Sequence, residues 1–441
     1  MHCHFDANGV DEHHLFRGRF RLEKPTEVRV RGTGASYFVA WLDDGFLCEG
    51  PPRFPLAKPE SVAATRRLPA GDHVLAVHLH VQGVTTRLME ADEAPFLAID
   101  LEADGCLLPT DWVKRRSSAF APTGRRIGCV LGWAEWRDTR DLSPEWTRPG
   151  FPDDDWERLA AARNESYDAA PEARLGPMRY FEHAPEPVAS GPLTPMSMHD
   201  HDPPMSYVAR GLEPGNLPPG GRWWRFDLGR VMLGRPRLRL RLPEGAVVQA
   251  GYAESLTQGR VFPYLKSGGG RDSCPLDTWI ARGGEQEFIP LHPKGARFLE
   301  VHVLGDPAGI EWLHGDFQER CYYEPTPEGA FRCSDNRLNA IWRVGVDTLR
   351  SCAEDAITDN PARERGQWLG DAVGPGMDIL AVAYRDTRPL ERCLRQAAAC
   401  AGPDGLVPAV FPGTLEKLPS FSIQWVSAVP RYARLTGDET I

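Results

Sequence analysis

The chain has 441 residues, 41% of them hydrophobic and 25% charged, the balance of a soluble globular protein whose length fits about three domains better than one core. Its 51 basic and 61 acidic side chains give a formal charge of -10, and the arginines are scattered among acids, which argues against nucleic acid as a partner. No apolar run approaches the roughly 18 residues of a membrane span, and the start, Met1-His2-Cys3-His4, has neither a basic nor an apolar leader region, so neither a span nor a signal peptide is read here. The ten cysteines include no CxxC pair, which points to reduced, mostly buried thiols, a cytosolic location and no zinc ribbon.

Up to about residue 325 the apolar pattern has period two. Val77-His78-Leu79-His80-Val81 and Arg237-Leu238-Arg239-Leu240-Arg241-Leu242 alternate as strands with one buried and one wet face. A first antiparallel β-sandwich is expected within residues 1–137, with turns at Gly32-Thr33-Gly34, Asp43-Asp44-Gly45 and Ala70-Gly71-Asp72. Residues 138–219 are rich in Pro, Asp and Ser and read as linker and long loops. A second β-sandwich is expected over 220–327, with strands Trp223 to Leu228, Arg237 to Leu242 and Phe298 to Leu304, and turns at Pro243-Glu244-Gly245 and Gly268-Gly269-Gly270.

From residue 328 the period becomes helical. Ser334 is expected to cap a helix that buries Leu338, Ile341, Trp342, Gly345 and Leu349. A second helix fits Val373, Met377, Leu380 and Tyr384. A third begins near Pro389 and buries Leu390, Cys393, Leu394 and Ala397 before Gly402. A fourth runs from about Ser422, with Pro430 inside it and Gly437 as its left-handed end.

The chemically informative stretch is Asp359-Asn360-Pro361-Ala362-Arg363-Glu364-Arg365-Gly366-Gln367-Trp368-Leu369-Gly370-Asp371. Pro361 disfavours helix at Asn360 and Gly366 weakens it further on, so a loop should lead into a helix carrying Asp371. Cleavage of a glycosidic bond needs a carboxylic acid to protonate the leaving oxygen and a carboxylate acting from the other side. Glu364 suits the acid, since Asp359 and Asp371 favour its protonated form, while Arg363 and Arg365 oppose it unless they are paired. Trp368 offers an aromatic wall to a sugar face. The plain alternative is a solvated charged loop or a set of structural ion pairs.

This run resembles the signature of bacterial α-L-rhamnosidases of the six-hairpin glycosidase type, Asp-x-Pro-x-Arg-(Glu)-Glu-Arg-x-Gly-Trp-x-Gly-Asp. The resemblance implies Glu364 as general acid, Asp359 and Asp371 as carboxylates that hold sugar hydroxyls, and Arg363 and Trp368 at further site positions. Gln367 replaces the pattern's glycine and Asn360 its usual cysteine. Phe226-Asp227-Leu228-Gly229, Gly251-Tyr252-Ala253-Glu254, Phe288-Ile289-Pro290-Leu291-His292-Pro293 and Phe331-Arg332-Cys333-Ser334-Asp335 follow in that family's order. Gly150-Phe151-Pro152-Asp153-Asp154-Asp155-Trp156 is similar to its element beside an N-terminal sugar-binding-like sandwich.

The expected architecture is therefore multidomain β + α: two antiparallel β-sandwich domains followed by the first part of an (α/α)6 six-hairpin barrel, over residues 328–441. The expected activity is inverting hydrolysis of terminal α-L-rhamnosyl residues from a rhamnose-containing glycoside or oligosaccharide, without metal or cofactor. The alternatives are a six-hairpin glycosidase for another sugar, or a non-catalytic carbohydrate-binding protein. Because 111 residues follow Ala330, the twelve-helix ring is expected not to close, the base is expected beyond Ile441 with Glu416 as the stand-in, and Leu390, Leu394 and Ala397 are expected to be exposed.

Other clusters have plainer readings. His2, Cys3 and His4, and His199 to Asp202, lack the spacing of a closed zinc site. His78 and His80 read as solvated, Asp153 to Asp155 as a turn, and Trp133, Trp136, Trp146 and Trp156 as core.

Overall fold

The computed structural model describes residues 2–4, 9–55, 57–91, 95–123, 125–159, 170–176, 178–193, 217–263, 265–266 and 272–441. His199 to Asp202 and Gly268 to Gly270 lie outside them, as do the side chains of His2, Cys3 and His4. Two compact units divide the chain: Met1–Thr85 with Met89–Pro122 and Asp138–Ala173, and Thr86–Leu88 with Thr123–Arg137 and Arg174–Ile441. The stretch read as linker thus contributes to both.

The N-terminal unit is two antiparallel sheets. One contains His2–His4, Phe96–Ala103, Thr26–Ala35 and Val62–Leu68; the other runs Glu157–Arg158, Asp111–Arg116, Glu12–Leu22, Gly71–Val81, Tyr37–Leu42, Gly45–Gly50. Alternation decides what lies between them: Phe16, Phe20, Val28, Val30, Phe38, Val77, Leu79 and Ile99 form one core. Asp43 and Asp44 make the expected turn in left-handed conformation, with φ of 51° and 70°. Gly32-Thr33-Gly34 does not turn. It lies inside the strand Thr26–Ala35, where a Cβ at Gly32 would stand 3.2 Å from both Ile99 and Phe38, so the glycines serve close packing.

His78 and His80 are also not solvated. They alternate out of the core as expected, yet are only 4% and 1% exposed, because the outer face of their sheet is covered, with Phe120 against His78 and His13. On the same face Trp146 and Trp156 bury with Leu15, Ala76 and Val113. Asp153 begins the expected turn at 154–155, and its carboxylate receives Arg17 and Arg19, each at 2.7 Å.

In the second unit the centre of a nine-stranded antiparallel sheet is one strand, Gly221–Leu242, whose two ends were expected as separate strands. Its register shifts between Asp227 and Met232; the first part pairs with Lys294–Leu304 and the later part with Glu311–Cys321. Trp224, Phe226, Leu238, Leu240, Val248, Trp279, Phe288 and Val301 fill its core.

The helices follow: α1 (Asn336–Cys352), α2 (Met377–Ala383), α3 (Arg388–Ala399) and α4 (Pro419–Thr436). Asp335, one residue beyond Ser334, caps α1 by accepting the Arg337 N–H at 2.8 Å. The order of two β domains and a helical segment is the expected one. α4 starts at Pro419, earlier than Ser422, because proline is preorganised for the first helical position, and Gly437 ends it with φ 77°.

Burial within this segment departs from expectation in both directions. Leu390, Leu394 and Ala397 are fully buried against Val407, Phe411, Ala428 and Tyr432, because α4 and the strand Val410–Phe411 cover α3. Leu338 and Ile341 of α1 are 48% and 66% exposed instead, since α1 packs through Val346 and Leu349. Val344, Ile423 and Val426 are 63%, 68% and 64% exposed. No helix of the described residues is long and apolar enough to cross a membrane.

Candidate active site

The loop after α1 is shaped by its own side chains. Asn360 Oδ1 accepts the backbone N–H groups of Ala362 (3.1 Å), Arg363 (2.6 Å) and Glu364 (3.3 Å), folding 361–364 into a turn. Asp359 and Gly366 close the base of this turn: the Asp359 N–H donates to Gly366 O, and the Gly366 N–H donates to Asp359 Oδ1, both at 2.9 Å. A Cβ at Gly366 would lie 2.9 Å from the Trp368 ring, so glycine is required there. Arg365 has φ 49°, which turns its side chain inward to Glu354 at 2.7 Å; Glu354 also takes Arg320 at 2.5 Å. Arg365 therefore belongs to a buried ion-pair network centred on Glu354. Gln367–Trp368 then pairs with Val410–Phe411, which fixes Trp368, while the buried Gln367 amide donates to Gln396 Oε1 at 2.9 Å.

Glu364 is the hub of the loop. Trp368 Nε1 donates to its Oε2 at 3.1 Å, and Arg363 Nε lies 3.1 Å from Oε1. Arg363 Nη2 is 3.6 Å from Asp359 Oδ2, an oxygen that also receives the Asn360 side-chain amide. Burial, and then the negative charge of Glu364, pushes the Asp359 carboxyl up to about 6. Asp371, at the end of the helical turn Leu369–Asp371, is exposed, yet partial loss of hydration and then the charge of Glu364 raise it as well. Asp359, Arg363, Glu364 and Trp368 are thus joined in one run of contacts, whereas Asp371 is linked to them by charge.

Sequence reasoning missed one member of this cluster. Arg87 is 93% buried and its guanidinium lies over the Trp368 ring, 5.0 Å from the centroid. Its Nη2 is 2.6 Å from Glu416 Oε1, and its Nε, 3.8 Å from Glu364 Oε2, has no hydrogen-bond partner. Backbone bonds hold it there: the Arg87 N–H donates to Val130 O and the Thr414 N–H to Thr86 O, both at 2.9 Å. With Arg87 and Glu416 separated by 329 positions, no local pattern announces the pair. Asn360, noticed only as a departure from a motif, proves to organise the loop.

A carboxyl held by an indole and a guanidinium, beside an aromatic face and a second carboxyl that burial pushes up to about 6, is an arrangement suited to proton donation onto a leaving oxygen. Comparisons with known proteins bear on the domains that carry this site. Residues 327–440 match the model of the bacterial alpha-L-rhamnosidase 6 hairpin glycosidase domain, and 220–318 that of the bacterial alpha-L-rhamnosidase concanavalin-like domain. An α-L-rhamnosidase of Formosa agariphila is 27% identical over 160 residues, covering 34% of this chain and 16% of the relative. One from Streptomyces avermitilis is 24% identical over 284 residues, covering 63% and 24%. Among solved structures, the GH78 family rhamnosidase of Bacillus sp. GL1 superposes with TM-score 0.80 at 16% identity, covering 96% of this chain and 65% of that one. The Streptomyces avermitilis α-L-rhamnosidase complexed with L-rhamnose gives TM-score 0.66 at 22% identity, covering 92% and 38%. The chain thus spans less than a quarter of the curated relatives it matches.

Proposed function

We propose that this chain, which carries the concanavalin-like and six-hairpin glycosidase domains of the bacterial α-L-rhamnosidases, supplies the proton donor and part of the sugar subsite for inverting hydrolysis of terminal α-L-rhamnosyl residues. The observation that carries this reading is the cluster of Glu364, Asp359, Arg363 and Trp368 within the matched glycosidase segment. Glu364 protonates the glycosidic oxygen as the bond to the anomeric carbon breaks, while water enters from the opposite face, activated by a carboxylate roughly 6.5 to 9.5 Å from Glu364. Asp359 and Asp371 accept hydrogen bonds from rhamnose hydroxyls, charge-assisted contacts worth about 1.5 to 3 kcal/mol each. Trp368 packs on the apolar sugar face, and Arg363 bridges Asp359 and Glu364. We place the protein in a reducing compartment, the cytosol, in keeping with the free thiols of its described cysteines.

The test uses protein expressed from the full reading frame, with a panel of aryl glycosides. Turnover of α-L-rhamnosides, with other sugars far slower, is expected; turnover of a different sugar, or binding of rhamnose without turnover, would replace this reading with one of its rivals. Glu364→Gln should lower turnover of a poor leaving group by about 100-fold or more, and of an activated aryl rhamnoside by much less, because a good leaving group needs little protonation. Equal losses on both would remove Glu364 from the role of acid.

A further inference from the structure

The outer face of the second sheet of the N-terminal unit holds a cluster of histidines that the rhamnosidase reading does not use. His13, on the strand Glu12–Leu22, stands directly opposite His80 on the strand Gly71–Val81, and His78 lies two residues along on the same face. The rings of His13 and His80 stack at 4.1 Å, and both Nε2 atoms are directed at one oxygen, Asp11 Oδ1, at 3.6 and 2.9 Å. Asp11 and His13 are each 7% exposed and His80 1%. The three donor atoms all lie within 4.8 Å of one another.

We propose that Asp11, His13 and His80 bind one zinc ion. Zinc bonds of about 2.0 to 2.2 Å in tetrahedral geometry put neighbouring donor atoms about 3.4 Å apart, and the two distances to Asp11 fall on either side of that value. Two imidazoles and one carboxylate suit zinc, whereas calcium and magnesium require more oxygens. His13 Nδ1 is 2.9 Å from His78 Nε2. A proton on His13 Nδ1 in that bond leaves the Nε2 lone pair facing Asp11, the outer hydrogen bond by which metal-binding histidines are oriented. Phe120 stacks on the other face of His13 at 4.0 Å and keeps water from the ring. Asp11, immediately before the strand begins at Glu12, has φ 66°, a conformation uncommon for a residue other than glycine. Zinc takes the lone pairs of both Nε2 atoms and one carboxylate oxygen, and the proton by which His80 Nε2 bonds Asp11 moves to its own Nδ1 or is released to solvent; the rings tilt from their stacked position to meet the ion, and water completes the tetrahedron.

The full chain, stripped with a chelator and equilibrated with zinc, should hold one equivalent by mass spectrometric metal analysis, and cobalt(II) in its place should give the intense visible bands of a four-coordinate ion. His13→Gln and His80→Gln should each lose that equivalent. His78→Leu, which removes the partner of His13 Nδ1, should weaken zinc about 10- to 100-fold. Replacing His2, Cys3 and His4 together by alanine should leave the bound zinc unchanged, which separates this site from the other metal-capable run. Far-UV circular dichroism checks the fold of each variant, and if the glutamine variants do not fold, the cobalt spectrum of the unaltered chain decides. No zinc equivalent, zinc retained by both glutamine variants, loss only in the His2/Cys3/His4 variant, or a weak six-coordinate cobalt spectrum would each overturn the proposal.

Discussion

Arg87 Nη2 lies 2.6 Å from Glu416 Oε1 while its Nε stays 3.8 Å from Glu364, so one guanidinium pairs closely with one carboxylate and stands just outside hydrogen-bond reach of the other. Glu416 is 44% exposed and regains water easily if the pair is broken, so the pair itself contributes little to stability. The buried guanidinium over Trp368 matters more for holding that ring.

Arg87→Met keeps an apolar side chain of similar length and removes the cation. A desolvated cation–π contact of about 0.5 to 2 kcal/mol translates into a rise in KM for aryl rhamnosides of roughly 2- to 30-fold, with the melting temperature changed by only a few degrees. A large fall in melting temperature with unchanged KM would make Arg87 a purely structural residue.

Asn360 Oδ1 satisfies three consecutive N–H groups, the last of them that of Glu364, as a helix cap does. Asn360→Ala should loosen the turn at a cost of about 0.5 to 2 kcal/mol. It should lower kcat by roughly 10- to 100-fold through misplacement of the carboxyl. Asn360→Ser, which retains an acceptor oxygen, should recover part of the loss. Steady-state kinetics of the two variants decide it, and full activity in the alanine variant would mean that the cap does not position the acid.

Asp359 titrates at about 6 in the folded chain, against 3.8 ordinarily. An acid raised on folding binds its proton more tightly in the native state, so its charge is destabilising, by about 3 kcal/mol at most; that penalty is absent below pH 4 and grows as pH rises to about 6. The melting temperature of Asp359→Asn relative to the unaltered protein should therefore climb between pH 4 and pH 7. Rhamnose affinity of the unaltered protein should increase with pH through about 6, since the ionised carboxylate is the better acceptor. A flat melting difference over that range would show that Asp359 is not raised.

Ile341, Val344, Ile423 and Val426 are each more than 60% exposed, while Leu394 is fully buried. Lysine at each of the four exposed positions should leave the melting temperature within a degree or two and reduce binding of an apolar fluorescent dye. Leu394→Ala should cost about 2 to 5 kcal/mol, enough to unfold the helical segment at a much lower temperature. The reverse ranking would mean that α1 and α4 bury these residues in solution.

Some of this molecule follows from short-range chemistry alone and was legible in the sequence. The period-two runs become strands, Asp43-Asp44-Gly45 turns, Gly437 ends α4, and Asn360-Pro361 with Gly366 makes a loop between α1 and the segment carrying Asp371, because backbone sterics and side-chain caps act within a few residues. The Asp-x-Pro-x-Arg-Glu run also announced its cluster, since Glu364, Arg363 and Asp359 are close enough in the chain to meet in one turn. Burial was decided elsewhere. An amphipathic pattern says that a helix or strand has an apolar face or a polar one, but only the neighbouring element determines whether that face is covered. For that reason Leu390 and Leu394 are enclosed by α4 and the strand Val410–Phe411, Leu338 and Ile341 face outward, and His78 and His80 lie under Phe120 on a face that looked wet. Arg87 reaches Trp368 and Glu416 by the same means, through backbone contacts spanning most of the chain, a distance over which no spacing of residues carries information.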